Sequence, residues 1–355
     1  MTTDLPEDLL ENILCRVPAT SLKRFRSACK RWNRLFNDKR FATKHFDKAA
    51  KQFMFLIMLK KKLRFRSVSV NLNDNDKTSI ELIRESNIFR VSHCYGLLLC
   101  TNKDNIRIVV WNPCTGQTKW IQTKTHHSGE EATFTLGSYQ EDNKSGNISY
   151  KILRYDNGDN YNPEFEIYDL NSNSWRILYD SPGSHLTRDG VFLKGKTYWI
   201  ALDDIGDRPE EALLVSFDYT TERFGTMRLP YLYGCESLSL SVVREEKLSV
   251  LLQRTNPLWT EIWVINTIGE WSKVLTVDYP QFTGDGLSTV SFLVDEEKEK
   301  IVCCEKRCLF VSIDIEHIDI VYTTEEDDKV TEVGFVEATH GPMIHNYVPS
   351  LVQIQ

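Results

Sequence analysis

Val109-Val110-Trp111-Asn112, with Trp120 opening the next apolar stretch, is the segment whose reading decides the fold, because its pattern returns along the chain. A strand-like run, an Asn or Asp, and then a large apolar residue recur at Glu166-Ile167-Tyr168-Asp169 to Trp175, Val215-Ser216-Phe217-Asp218 to Phe224, Trp263-Val264-Ile265-Asn266 to Trp271, and Val311-Ser312-Ile313-Asp314 to Ile320. The four aromatics lie 55, 49 and 47 residues apart, and the step to Ile320 is again 49. That is the period of one blade in a radial β-structure. The Asn or Asp side chain bonds its own backbone and accepts turn geometry, while the aromatic beyond it fills the gap between neighbouring sheets. Each sheet cannot bury its faces alone, so the units stack, and closing them into a ring removes most exposed edges. The expectation is a large all-β domain, a β-propeller of about six blades, with a strand near Val330 to Phe335 available to close the ring. A large β-sandwich is the competing architecture.

Upstream, Phe53 to Leu59 is apolar, Lys60-Lys61-Lys62 is a basic turn, and Leu63, Phe65, Val68 and Val70 continue in strand character, which reads as a β-hairpin. Before it, Leu5 to Phe46 (LPEDLLENILCRVPATSLKRFRSACKRWNRLFNDKRFATKHF) carries helical periodicity. Asp4 is positioned to cap a first helix whose first turn holds Pro6, Glu7 and Asp8, and Pro18 ends it. Leu9, Leu10, Ile13, Leu14 and Val17 form one stripe, and Leu22, Phe25, Cys29, Trp32 and Phe36 form a second, narrower one on a second helix. Lys23, Arg24, Arg26, Lys30, Arg31 and Arg34 take its opposite side, and a third helix runs from Asp38 to Phe46. A module of this size rarely sustains a core of its own. Its apolar surface goes either to the downstream domain or to a second polypeptide.

The run Leu5-Pro6-Glu7-Asp8-Leu9, then Ile13-Leu14, Val17-Pro18, Leu22, Phe25-Arg26-Ser27 and Cys29-Lys30-Arg31-Trp32 resembles the F-box of plant F-box proteins. That resemblance implies docking on the Skp-type adaptor of SCF (Skp, cullin, F-box) ubiquitin ligases and, through it, on a cullin scaffold. Leu5, Pro6, Leu9, Ile13, Leu14, Val17, Pro18, Leu22, Cys29 and Trp32 would then form the adaptor-facing or module-core apolar set. Gly96-Leu97-Leu98-Leu99-Cys100 with Ile108 to Gly116, and the pair of strands around Leu193 to Ile200, resemble the F-box-associated domain (type 1) of the same proteins. This implies a kelch-like, target-binding propeller, and the domains divide as 1–47 and 48–355.

The charge is unevenly placed. Residues 1–50 hold eleven Lys and Arg against six Asp and Glu, leaving 32 against 44 in the remainder. An acidic main body argues against general nucleic-acid affinity. Nine cysteines without a C-x-x-C pair read as free core thiols. No apolar run approaches the ~20 residues of a membrane span, and no leader precedes Leu5, so nucleus or cytoplasm is the expected compartment. Gly190 to Thr197 fits the phosphate-loop pattern G-x-x-x-x-G-K-[ST], but strand-like residues on both sides make it a hairpin with a Lys-Gly turn. The histidines form no metal motif, and neither a catalytic nucleophile nor a cofactor is expected. The alternative function is a helix-turn-helix DNA-binding regulator, with residues 21–46 on DNA and the β domain as an acidic sensor. Target recognition is expected on propeller loops at 156–163, 203–209, 253–259 and 279–287, with Tyr161, Tyr233 and Trp259 as candidate anchors.

Overall fold

The computed structural model describes residues 6–26, 29–48, 54–61, 64–70, 78–81, 88–102, 107–123, 132–140, 148–156, 164–187, 189–202, 212–230, 235–255, 258–266, 269–277, 291–295, 300–311, 314–324, 330–337 and 343–354. Four helices come first: α1 (Glu7–Leu14), α2 (Ala19–Phe25), α3 (Lys30–Phe36) and α4 (Lys39–Lys48). Strands follow, and among the described residues they form six antiparallel sheets. The first contains β1 (Met54–Lys61), β2 (Arg64–Val70) and β3 (Thr78–Glu81), so the expected hairpin is present, with Lys61 paired to Arg64. The second runs β4 (Ile88–Cys94), β5 (Leu97–Asn102), β6 (Arg107–Trp111), β7 (Thr118–Gln122). The third runs β8 (Thr133–Gln140), β9 (Ile148–Asp156), β10 (Glu164–Asp169), β11 (Ser174–Leu178).

In the fourth sheet β12 (His185–Leu186) and β13 (Val191–Leu193) share the inner edge of β14 (Lys196–Leu202), followed by β15 (Leu213–Asp218) and β16 (Arg223–Arg228). The fifth holds β17 (Cys235–Val243), β18 (Lys247–Thr255), β19 (Leu258–Ile265) and β20 (Trp271–Val277). The sixth holds β21 (Ser291–Asp295), β22 (Lys300–Val311), β23 (Asp314–Thr324) and β24 (Val330–Glu337). Finally β25 (Met343–Tyr347) returns to the first sheet and pairs with β1, Met54 opposite Tyr347.

The sheets close into a ring. β4 packs on β8, β8 on β14, β13 and β14 on β17, β17 on β21, β21 on β25, and β25 on β4. This is a β-propeller, and its apolar clusters lie between successive sheets. One joins Ile108 and Val110 to Ile152 and Tyr168, and the next joins Leu153 and Ile167 to Val215 and Phe217. Ring closure differs from the sequence expectation. Val330 to Phe335 belongs to β24, the outer strand of the sixth sheet, and β25 closes the ring. Strand character is legible at Val330 to Phe335, whereas β25 forms no part of the expectation, because its place in the ring depends on a pairing partner nearly three hundred residues upstream.

The repeat places the third and fourth strands of four sheets. Val109 faces Trp120, Tyr168 faces Trp175, Phe217 faces Phe224 and Ile265 faces Trp271 across the β6–β7, β10–β11, β15–β16 and β19–β20 pairs. Asx chemistry shapes the turns between them, as expected. Asp169 Oδ1 accepts from the Asn171 and Ser172 amides at 2.7 and 3.3 Å, and Asp218 Oδ1 accepts from Thr220 and Thr221 at 2.9 and 3.1 Å. The outer-strand aromatics do tie neighbouring sheets together. Trp175 Nε1 donates to Gln122 O of the second sheet at 3.1 Å, and Trp271 Nε1 donates to Arg228 O of the fourth at 3.0 Å. The fifth unit departs: Val311 and Asp314 flank the β22–β23 turn, and Ile320 lies within β23, one strand early. The 49-residue step to Ile320 is a coincidence of spacing.

The segment with the phosphate-loop pattern is a hairpin. Leu193 pairs with Lys196 across Lys194 and Gly195, both at positive φ, and Lys196 Nζ reaches Asp218 at 3.3 Å. Among the described residues no group of three His, Cys, Asp or Glu could hold a metal, and no helix is long and apolar enough to cross a membrane. Cys15, Cys94, Cys100, Cys114, Cys235 and Cys303 are buried, and Cys29 is exposed.

Candidate adaptor-docking surface

Each sheet is traversed from its inner to its outer strand, except that the inner strand β25 of the first sheet comes last in the chain, so connections between strands one and two, and three and four, leave one end of the ring. The others leave the opposite end. The helices sit at the first end. Lys23 Nζ donates to Pro113 O at 3.2 Å and the Cys114 thiol donates to Ala19 O at 3.6 Å, both on the β6–β7 turn, while the Phe46 ring meets Tyr95 of the β4–β5 turn at 4.8 Å. Burial pushes the Cys114 thiol up to about 11, so it stays a neutral donor.

The helix boundaries differ from the sequence expectation. Pro6 is the N-cap of α1, with φ −50° and ψ 143°, and its carbonyl accepts from Leu9 and Leu10 at 3.1 Å. An extended residue whose carbonyl opens the helix needs no amide hydrogen, so proline costs nothing there. Asp4, the expected cap, lies outside the described residues. α1 ends at Leu14, before Pro18, because a residue preceding proline is driven out of helical conformation and Val17 makes only a turn bond to Leu14 O. Pro18 caps α2 as Pro6 caps α1.

The expected single second helix is two. Cys29 is extended, at φ −156°, and its sulfur accepts from the Trp32 amide at 3.4 Å, starting α3 afresh. α4 begins where Asp38 Oδ1 accepts from the Arg40 and Phe41 amides at 2.8 and 3.2 Å.

The expected apolar set separates by burial. Leu14 and Leu22 are sealed with Cys15, Ala19, Phe36, Phe41 and Ala42, against Cys114 and Leu351 of the β domain. Leu9 and Ile13 are each 51% exposed, Pro6 and Cys29 are exposed, and Val17, Pro18 and Trp32 are half-buried. Leu5 lies outside the described residues. Phe25, at 39% exposure, packs edge-on against Trp32 with ring centroids 5.6 Å apart, and extends the outward apolar face. Periodicity places Phe25 in one stripe with the buried Leu22 and Phe36, whereas in the structure it is exposed. Arg31 reaches Glu7 at 3.6 Å between α3 and α1.

His45 fastens α4 to the turn after α1. Its ring is buried and Nε2 lies 2.7 Å from Val17 O, which only an N–H can satisfy. Burial holds its pKa below the ordinary histidine value. In the unfolded chain the imidazole protonates below about 6.5, while the folded one resists. The unfolded state therefore binds more protons as pH falls from that value through the folded pKa, and stability drops across that window. Denaturant melts of the wild type and of His45→Gln should diverge above pH 6.5 and converge as pH falls below the folded value. Parallel curves across the range would show that His45 does not carry this dependence.

Of the candidate target anchors, Tyr161 and Tyr233 lie outside the described residues. Trp259 is a half-buried strand residue of β19, paired with Arg254, and not an exposed loop residue. Thr255 pairs with Leu258, so all of the expected loop at 253–259 except residues 256 and 257, which lie outside the described residues, is strand. A buried cluster lies beside it: Arg254 bonds Glu261 at 2.8 and 3.0 Å, and Trp263 Nε1 donates to Glu261 at 3.0 Å.

Comparison with known proteins places both parts. Residues 3–44 match the F-box domain, and residues 55–354 match the F-box associated beta propeller domain. A probable F-box protein of Arabidopsis thaliana is 48% identical, covering 100% of this chain and 87% of its own length. F-box protein ETP2 of the same plant is 45% identical over 99% of this chain and 96% of its own, and an F-box/kelch-repeat protein is 44% identical over 99% and 96%. These matches do not favour the helix-turn-helix alternative. With F-box helices seated on a closed ring of sheets and both family descriptions matched along the chain, it belongs to the F-box proteins that carry an F-box-associated β-propeller.

Proposed function

We propose that the chain is the target-recognition subunit of an SCF-type ubiquitin ligase. Its outward helical face, Pro6, Leu9, Ile13 and Phe25 with Trp32 and Cys29, docks on a Skp-type adaptor and through it on a cullin. Leu5 is expected to join this face. Leu14 and Leu22 support it from beneath. The observation that carries the reading is the half-exposure of Leu9 and Ile13 in a module whose other large apolar side chains, Phe25 apart, are buried or half-buried. Apolar area of this kind is stabilised only by a partner.

The chain contributes positioning, not chemistry. It raises the effective concentration of a target lysine near a ubiquitin-charged enzyme held elsewhere in the assembly. The protein target binds at the end of the ring away from the helices. The strand ends flanking 157–163, 203–211 and 278–290 all leave from that end, and Tyr161 and Tyr233 are the proposed anchors of the target. The work is done in the nucleus or cytoplasm.

Affinity purification of the tagged full chain from plant cells under proteasome inhibition tests this. A Skp-type adaptor, a cullin and an enriched ubiquitin-modified protein should be recovered together. Recovery of a folded chain without the adaptor would overturn the proposal.

A further inference from the structure

The segment that follows β25 lies between the helices and the ring and touches both. Val348, Pro349, Ser350, Leu351 and Val352 are buried. Adjacent side chains of this segment lead into different cores. Leu351, 1% exposed, joins Leu14, Ala19, Leu22 and Phe36 of the helices, while Val352 joins the cluster between the second and third sheets.

The polar contacts repeat this two-sided arrangement. Asn112 Nδ2 donates to Ser350 O at 3.0 Å and Val352 O at 2.8 Å, while its Oδ1 closes its own turn by accepting from the Cys114 and Thr115 amides at 2.8 and 3.1 Å. All four bonds open to a carboxamide are made. Gln117 Nε2 donates to Gln353 Oε1 at 2.6 Å, and Gln117 Oε1 accepts from the Ile354 amide at 3.1 Å. Gln353 Nε2 in turn reaches Phe36 O of α3 at 3.5 Å. At Gly96, φ +78°, a β-carbon would lie 2.5 Å from Ser350 Cβ and 2.8 Å from Val348 O, so the segment lies directly on the β4–β5 turn.

We propose that Val348 to Ile354 is a strap that joins ring and helices into one rigid body, and that the F-box acquires its orientation only once the ring has closed. β25 pairs with β1 to complete the first sheet, and the strap is the very next residue. A chain whose ring is open therefore lacks the strap's part of the helix seat and keeps only the contacts to the β4–β5 and β6–β7 turns. A complete chain holds target face and adaptor face at one fixed angle, which is what an effective-concentration mechanism requires. The strap residues are positioning residues and touch neither partner. This inference rests on the adaptor reading for its functional consequence, though not for its structural content.

The test uses the full chain, free and bound to a purified Skp-type adaptor. Leu351→Asp places an unpaired carboxylate in the helix-side contact and leaves Val352 and the ring pairing in place. Amide exchange in residues 18–26 and 111–117 should rise by about tenfold or more, and small-angle scattering should show a wider distribution of module separations. Ring melting should hold, and adaptor affinity should change by no more than about threefold. Leu351→Met should restore wild-type exchange. Deleting residues 353–355 keeps the Leu351 and Val352 contacts, removes the Ile354 packing and the Gln353 bonds, and should move exchange in the same direction by less, which covers the case in which Leu351→Asp fails to fold. Unchanged exchange and scattering in both variants would overturn the strap, as would loss of ring melting in the milder one. A wild-type chain that does not bind the adaptor would sink the ligase reading alone, because exchange in the free chain still reports on the strap.

Discussion

Replacing Leu9 and Ile13 together by Asp is expected to weaken binding to a Skp-type adaptor by about 100-fold or more, with ring melting unchanged. Each side chain is already half covered by its own module, so a partner has only the outer half left to bury, roughly 1 kcal/mol apiece. Two carboxylates pressed into an apolar contact add a desolvation cost of several kcal/mol before any relaxation. The sum exceeds the roughly 2.7 kcal/mol that 100-fold represents. Calorimetric titration with purified adaptor reads the affinity, and a thermal melt of the free chain reads the fold. Leu22→Ala provides the contrast. Leu22 is fully buried against helices and ring, so its loss costs about 2–5 kcal/mol of module stability and weakens the adaptor only through unfolding. If Leu22→Ala abolished binding in a stably folded module while the Asp pair bound normally, the outward face would be misassigned.

The two groups of leucines show where the sequence stops being informative. Leu9, Leu14 and Leu22 are the same residue at helical spacing, and periodicity places Leu9 and Leu14 in one stripe. What separates them is contact with Cys114 and Leu351, far along the chain, and no local pattern encodes which leucine those residues will cover. Local chemistry, by contrast, was legible. Asp169, Asp218 and Asn112 shape their turns with side-chain bonds two or three residues away, so strand, turn and outer aromatic could be read from four of the five repeat units.

The fifth unit shows the limit of the same signal. Val311 and Asp314 satisfy the pattern but flank the turn before β23, because a strand followed by a turn residue occurs between any two strands of a meander. Continuity of the apolar stripe from Leu22 to Phe36 likewise concealed the break at Cys29, where an extended backbone restarts the helix without disturbing the periodicity. Asn112 is legible as a turn residue. Its two amide donations to Ser350 and Val352 are not, since both acceptors are backbone carbonyls of a segment that no motif marks.

Gly137→Val is expected to damage the ring severely, lowering stability by about 3 kcal/mol or more. Gly137 lies in β8, where a β-carbon would stand 2.0 to 2.3 Å from three ring atoms of Tyr219, well inside any contact distance. A flexible side chain could move away, but this one cannot. The Tyr219 ring is fully buried, packs at 5.1 Å on Phe217, and is anchored by its hydroxyl to Thr135 Oγ1 at 3.1 Å and Thr197 Oγ1 at 2.9 Å. Those two threonines belong to β8 and β14, so the ring is fixed between the third and fourth sheets and any shift would strand a buried hydroxyl. The clash also dictates its own remedy. Tyr219→Ala alone should destabilise by emptying the space and orphaning both threonines, yet in the Gly137→Val background it should cost far less, because the valine occupies part of the vacated volume. A double-mutant cycle by urea unfolding should therefore give a coupling of about 1–3 kcal/mol with the double mutant more stable than the sum of the singles predicts. Simple additivity would mean that β8 and the Tyr219 ring do not meet as closely as the packing requires.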